Sequence, residues 1–131
     1  MIPKFRAWHN ELGRMMLVKT MFFFANELEE LELNDSIMND NIPVYPDEIK
    51  LMQSTGLLDK NGKEIFEKDI LDYNGRKVIV KWHGSYASFI YEFVDELENR
   101  VTEWQPLYLS YYHFEIIGNV YENPELLEVT E

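Results

Sequence analysis

Asp69-Ile70-Leu71-Asp72-Tyr73-Asn74-Gly75-Arg76-Lys77-Val78-Ile79-Val80-Lys81-Trp82-His83-Gly84-Ser85-Tyr86-Ala87-Ser88-Phe89-Ile90-Tyr91-Glu92 is the stretch that decides the fold. Asn74-Gly75 and Gly84-Ser85 punctuate three runs rich in β-branched and aromatic residues, which is a strand, turn, strand, turn, strand pattern. Under a two-residue period Val78, Val80 and Trp82 share one face of the middle run, while Lys77, Ile79, Lys81 and His83 share the other. The first set is the better core candidate. In the third run Ala87, Phe89 and Tyr91 alternate with Tyr86, Ser88 and Ile90, so either face can contribute.

Upstream, Asp59-Lys60-Asn61-Gly62 predicts a tight reversal joining Leu57-Leu58 to Ile65-Phe66, because Asn-Gly readily takes positive φ. Phe5 to Trp8 and Met15 to Phe23 read as a hairpin, with Asn10 and Gly13 in its turn. Asn26 is placed to cap a helical turn through Leu31, with Glu29 three residues later, although the Leu28 to Leu33 pattern fits a strand as well. Pro43 and Pro46 restrict the chain on both sides of Val44-Tyr45, so residues 39–48 are expected to be a connection. Glu48 to Gln53 continues as a short strand or turn.

Downstream, 94–100 is acidic and helix-permissive, and Leu107 to Tyr112 is an apolar run. Phe114, Ile116, Gly118 and Val120 alternate with Glu115, Ile117, Asn119 and Tyr121 along the last expected strand. Asn123-Pro124-Glu125 is a sound helix start whose Leu126 and Leu127 must dock on the sheet for so short a helix to persist. No repeated strand-plus-helix unit is present, which excludes a doubly wound nucleotide domain. The expected fold is mainly β: a small, strongly bent antiparallel sheet or SH3-like barrel with short peripheral helices, in one domain over 1–131 with a possible N-terminal hairpin extension at 1–26.

The 131 residues carry 12 Lys plus Arg against 24 Asp plus Glu, a net charge of −12, and 46% are hydrophobic. That composition supports a core and argues against global disorder. The lack of cysteine excludes disulfides, thiolate chemistry, Cys-ligated zinc and iron–sulfur clusters. Met15 to Ala25 is interrupted by Lys19 and Thr20 and falls short of the roughly 20 residues needed to cross hydrocarbon. Polar residues from Arg6 to Arg14 break up any secretion-like segment. The expectation is a cytoplasmic protein with no membrane partner.

Three separated motifs carry a family resemblance: Pro3-Lys4-Phe5-Arg6-Ala7-Trp8, the run LMQSTGLLDKNGKEIFEKDI from Leu51 to Ile70, and IGNVYENPELL from Ile117 to Leu127. Together, in this order, they resemble the phage and prophage YopX-like proteins. The resemblance implies a β-rich YopX-like domain, similar to an SH3-type barrel, in a small phage-related protein without a settled activity and with no catalytic residues to carry over. Family members usually look like E-G-D-I where this chain has Glu67-Lys68-Asp69-Ile70, and often have tyrosine at Phe66. Lysine in place of glycine argues against a required positive φ at that position, and Phe66 keeps aromatic burial without a hydroxyl.

Glu64, Glu67, Asp69 and Asp72 form the densest carboxylate group, which would bind a hard cation only if the oxygens converged. Solvated and turn-building roles fit them better. Asp59, Asn61 and Glu64 lack the spacing of a calcium loop. His9, His83 and His113 match no zinc signature. Neither Ser88 nor Ser110 stands in a nucleophile elbow, and Gly56, Gly62 and Gly75 form no phosphate loop. No cofactor is expected.

Arg6, Trp8, Arg14 and Lys19 interleave cations with Phe5 and Phe22 to Phe24. That arrangement suits core or subunit packing, a partner protein or, less well given the overall charge, nucleic acid. Trp104 and the Tyr108, Tyr111 and Tyr112 cluster are candidate interface anchors, and a small domain with so many aromatics is a candidate homo-oligomer. The candidate interaction surface is therefore Arg6, Trp8, Arg14, Lys19, Glu64, Glu67, Asp69 and Trp104. The expected function is that of a noncatalytic phage or prophage accessory protein binding a phage or host protein. The alternatives are a nucleic-acid-related module, by direct binding or by mimicry of DNA charge, and a metal-dependent hydrolase.

Overall fold

The computed structural model describes residues 4–96, 104–109 and 111–128. The chain is mainly β, and its helical elements are short 3-10 turns. It forms two compact units, Met1–Gln53 and Ser54–Glu131.

The first unit holds β1 (Phe5–His9), β2 (Arg14–Phe24), β3 (Glu27–Asp35), β4 (Asp40–Val44) and the first part of β5 (Ile49–Leu58), in the antiparallel order β4-β3-β2-β1-β5. The expected hairpin is β1–β2, in register Ala7 with Met16 and Trp8 with Met15. Gly13 closes its turn at φ +63, donating its N–H to the His9 carbonyl at 2.8 Å. Ala7, Met16, Leu31, Leu33, Val44 and Ile49 make the core.

Two bulges shape the β2–β3 pair. Register steps from Val18–Leu33 to Thr20–Glu32, and again from Phe22–Glu30 to Phe23–Leu28, so Lys19 and Glu29 are each an extra residue. A bulge resets which face a side chain takes. Val18 and Met21, three apart, thereby reach the same core, as do Leu28 and Leu31. Glu29 three residues after Asn26 suggested a capped helical turn, and a bulged strand forms there instead. Asn26 caps no helix: it sits at φ +67 after Ala25 at φ +51, and this pair of left-handed residues turns β2 into β3.

Residues 39–48 also differ from the expected connection, because Asp40–Val44 is a strand. Pro43 is accommodated because β4 is the outermost strand, where a missing N–H costs no ladder bond. Flanking donors are taken up locally: Asn41 N–H donates to Asp40 Oδ1 at 2.8 Å and Tyr45 N–H to Glu48 Oε2 at 2.8 Å.

In the second unit the later part of β5 pairs with β6 (Glu64–Phe66), Ser54 opposite Phe66 and Leu58 opposite Glu64. A five-stranded antiparallel sheet follows, of β7 (Asp69–Tyr73), β8 (Arg76–His83), β9 (Ser88–Phe93), β10 (Trp104–Pro106) and β11 (Glu115–Asn119), ordered β10-β9-β8-β7-β11. Asn74 and Gly75, at φ +49 and +87, make the tight β7–β8 turn. The β8–β9 turn is longer than Gly84-Ser85. His83 pairs with Ser88, and Ala87 rather than either predicted residue takes positive φ, +48.

This sheet is covered on both faces. Val78, Val80, Leu71 and Tyr91 pack with Ile65, Leu107 and Phe114, while Ile70 and Ile79 pack with Val94, Val120, Leu126 and Leu127. Ile79 is thus as much a core residue as its neighbours. Trp82, grouped with Val78 and Val80 by parity, is 49% exposed, because it lies beyond the covered part of β8. The expected alternation on the last strand breaks at a bulge between Ile116 and Gly118. Val94–Glu96 and Leu107–Leu109 are 3-10 turns, and the remainder of 94–100 and Ser110 lie outside the described residues. Pro124–Leu127 is a 3-10 turn that docks Leu126 and Leu127, as the sequence required. Asn123 does not cap it; its Oδ1 instead accepts the Asn119 N–H at 3.2 Å.

Candidate interaction surface

Several residues singled out in the sequence are committed to holding the fold. Asp69, expected on an interaction surface, is 2% exposed, and its Oδ2 accepts the Phe66 N–H at 2.8 Å across the two-residue turn Glu67-Lys68. Lys68 has φ +69, so the inference from its missing glycine fails: the position is left-handed, and lysine occupies it. The turn is anchored on both sides, since Lys68 N–H donates to the Val80 carbonyl at 2.9 Å and its own carbonyl accepts from Val120 N–H at 3.1 Å. Those bonds hold a backbone that an L side chain disfavours.

Asp59 is a latch rather than a cation ligand. Its Oδ1 accepts the N–H groups of Asn61 and Lys63, both at 2.9 Å, and its Oδ2 accepts the Ile116 N–H at 3.0 Å, tying the β5–β6 turn to β11. Burial opposes ionisation of this 5% exposed residue, but the donors from Ile116, Lys63 and Asn61 with the Lys63 charge outweigh it and hold the carboxyl below its usual range. In the last motif Asn119 Oδ1 accepts from Tyr121 and Glu122 N–H groups, and a side chain at Gly118 would collide with Asn123. The diagnostic motifs thus encode turns.

The N-terminal cations are similarly engaged. Arg14 Nη2 lies 2.7 Å from Oδ2 of Asp35, a 1% exposed carboxylate that also accepts the Ile37 N–H at 3.0 Å. Sequence reading missed this pair, because 21 positions separate residues that meet only through the β1–β2–β3 register. Lys19, the bulge residue, lies 3.7 Å from Glu32. Arg6 and Trp8 are half-buried on β1, and Glu64 and Glu67 are half-buried around β6. Trp104, also half-buried, packs on His83 and Tyr86 with ring centroids 4.8 Å away in both cases.

The histidines each have a local setting. His9 is buried and its Nδ1 accepts the Leu12 N–H at 3.0 Å, while His113 lies against Tyr112. Among the described residues no group of three or more His, Asp or Glu is placed to hold a metal ion. No described helix is long and apolar enough to cross a membrane.

What is left open is one face of the β2–β3 ribbon. Leu17, Thr20, Phe22 and Phe24 of β2 stand in register with Asn34, Glu32, Glu30 and Glu27 of β3. The two bulges keep these pairs on the side opposite Val18, Met21, Leu28 and Leu31. An apolar rail therefore runs beside an acidic one. On this face Phe22 and Phe24 are 49% and 70% exposed, while Phe23, 62% exposed, pairs with Leu28 and lies on the other side. Taking ~200 Å² for a free phenylalanine, Phe22 and Phe24 give roughly 240 Å² of aromatic surface on this face, and Leu17, 59% exposed, extends the rail. A pocket of about 300 Å³ opens nearby, between Lys4-Phe5 and Leu17 to Met21.

The model of the YopX protein family matches residues 4–128, nearly the whole chain. The chain belongs to the YopX family. A solved structure similar to this YopX chain, titled the crystal structure of protein EF1440 from Enterococcus faecalis, is 30% identical, with 98% of this chain and 99% of that one covered at a TM-score of 0.63. Comparison with curated proteins gives no match. In this YopX chain the resemblance motifs contribute Asp59, Lys68, Asp69, Gly118, Asn119 and Asn123, all placed at turns or latches, whereas Phe22 to Phe24 and Glu27 to Glu32 lie outside them.

Proposed function

We propose that this YopX chain is a noncatalytic accessory protein of a phage or prophage, acting in the cytoplasm by binding another protein through the outer face of the β2–β3 ribbon. The observation that carries the reading is the exposure of Phe22 and Phe24 on one face of one strand. A ribbon that only had to fold would leave such rings off its solvent side. The phage assignment draws on the resemblance of the three motifs, and the cytoplasmic one on the absence of cysteine.

Strand addition is a poor alternative mode. At β4 the Asn41 and Tyr45 donors are used by carboxylates and Pro43 has none, and at β11 the Ile116 and Asn119 donors are used by Asp59 and Asn123. Direct nucleic-acid binding loses appeal because Arg14 and Lys19 lie beside carboxylates. The hydrolase reading loses the oxygens that Asp59 and Asp69 spend on backbone donors.

The test compares wild type with Phe22→Ser/Phe24→Ser in parallel affinity captures from phage-infected host extract, analysed by mass spectrometry. A partner recovered reproducibly by wild type and lost with the double variant is expected, provided circular dichroism shows both folded. Identical recoveries would remove the ribbon from the proposal.

A further inference from the structure

Elsewhere in the chain, a phenylalanine beside a carboxylate already has an occupant. The Arg76 guanidinium lies 3.7 Å from the centroid of the Phe93 ring, and its Nη2 donates to Asp95 Oδ1 at 2.8 Å. The ring's negative face and the carboxylate act on the same planar cation, a combination that suits guanidinium better than ammonium. The ribbon offers the same two groups twice as cross-strand neighbours, with Phe22 opposite Glu30 and Phe24 opposite Glu27.

Charge balance on the ribbon points the same way. From Arg14 to Asp35 the carboxylates are Glu27, Glu29, Glu30, Glu32 and Asp35, and the cations are Arg14 and Lys19. Arg14 lies beside Asp35 and Lys19 beside Glu32. Among the described residues no cation pairs with Glu27, Glu29 or Glu30. An acidic nucleic acid or an anionic lipid surface would be repelled here, whereas a cationic protein segment is complementary.

Resting on the reading of this face as an interface, we propose that its occupant is an arginine-bearing segment of a partner protein. One guanidinium lies over Phe22 and pairs with Glu30; a second lies over Phe24 and pairs with Glu27. Phe22 and Phe24 are two positions apart on a strand, about 6.8 Å. Two arginines separated by one residue in an extended segment have the same repeat.

The probes are two capped peptides, Thr-Val-Arg-Val-Arg-Val-Thr and its counterpart with both arginines replaced by lysine, titrated into the full chain by fluorescence anisotropy. The arginine peptide is expected to bind roughly two- to fivefold more tightly than the lysine peptide, the range of an exposed cation–π contact. Phe22→Ser/Phe24→Ser and Glu27→Gln/Glu30→Gln should each abolish that preference. Glu11→Gln/Asp47→Asn, which removes two exposed carboxylates elsewhere, should keep it. Equal binding of both peptides, or equal loss with the control pair, would overturn the proposal by reducing it to a general acidic field. Sedimentation of the same proteins separates this from the interface reading. A self-association abolished by Phe22→Ser/Phe24→Ser, without arginine preference, would overturn the arginine segment and leave a second copy as the occupant. Neither binding nor self-association would overturn both.

Discussion

Lys68 shows a position where the backbone has overruled the side chain. At φ +69 a non-glycine residue is strained by about 1–2 kcal/mol. Glycine would relieve that strain but gain freedom in the unfolded chain, so the net benefit is smaller. Lys68→Gly is expected to stabilise the protein by about 0.5–1 kcal/mol in urea denaturation; an unchanged or lower midpoint would show that the position is not strained. Asp59 works in the opposite sense, with a carboxylate stabilised by folding. Its folded pKa lies below the unfolded value of about 3.9, so the unfolded state takes up the proton more readily. The contribution is complete above the unfolded value and is lost as pH falls through the folded one. Asp59→Ala should cost about 2–3 kcal/mol near neutrality by stranding three N–H donors. The stability gap between wild type and Asp59→Asn should narrow from about pH 6 to about pH 3; a gap independent of pH would contradict the latch.

At the scale of elements, the β2–β3 ribbon depends on its two bulges. Deleting Lys19 removes the first bulge and leaves Val18–Leu33 and Thr20–Glu32 as successive pairs, so Met21 keeps its face, whereas an alanine inserted between Thr20 and Met21 turns Met21 and every β2 residue after it to the other face. We expect the insertion to cost about 2–4 kcal/mol, as for emptying a core position, against under 1 kcal/mol for Lys19→Ala, which only removes a long ion pair. Equal effects would mean that the face of Met21 is not set by this register. The hairpin β7–β8 was legible because Asn74-Gly75 carries its own conformational preference and the flanking alternation is unbroken. The bulges were not, because an extra residue shows only against its partner strand. Pro43 misled for a related reason: it forbids a central strand but not an edge, and edge position is a tertiary fact. Phe22 to Phe24 were legible as excess aromatic surface, but that Phe22 stands opposite Glu30 and Phe24 opposite Glu27 required the register. Asp69 lay in the densest carboxylate group, and nothing in that density distinguished a buried turn-binder from an exposed ligand.

For the whole molecule, a net charge of −12 exceeds what the few described ion pairs can balance. Several of those pairs are solvent-exposed and contribute little. Added sodium chloride should therefore raise the thermal midpoint by a few degrees, as screening relieves repulsion among surplus carboxylates. A midpoint that falls with salt in differential scanning calorimetry would instead give the attractive pairs the larger share. The same surplus makes the naked Phe22 and Phe24 tolerable, since similarly charged neighbours keep copies apart while a cationic visitor is admitted.

The closed margins of the sheets have one more consequence. At β4 and β11, with the peptide donors of Asn41, Tyr45, Ile116 and Asn119 already spoken for and proline at position 43, a visitor must recognise side chains rather than main chain. Recognition of that kind is portable: grafting Phe22, Phe24, Glu27 and Glu30, with the Glu29 bulge, onto an unrelated twisted hairpin should carry the binding preference with it.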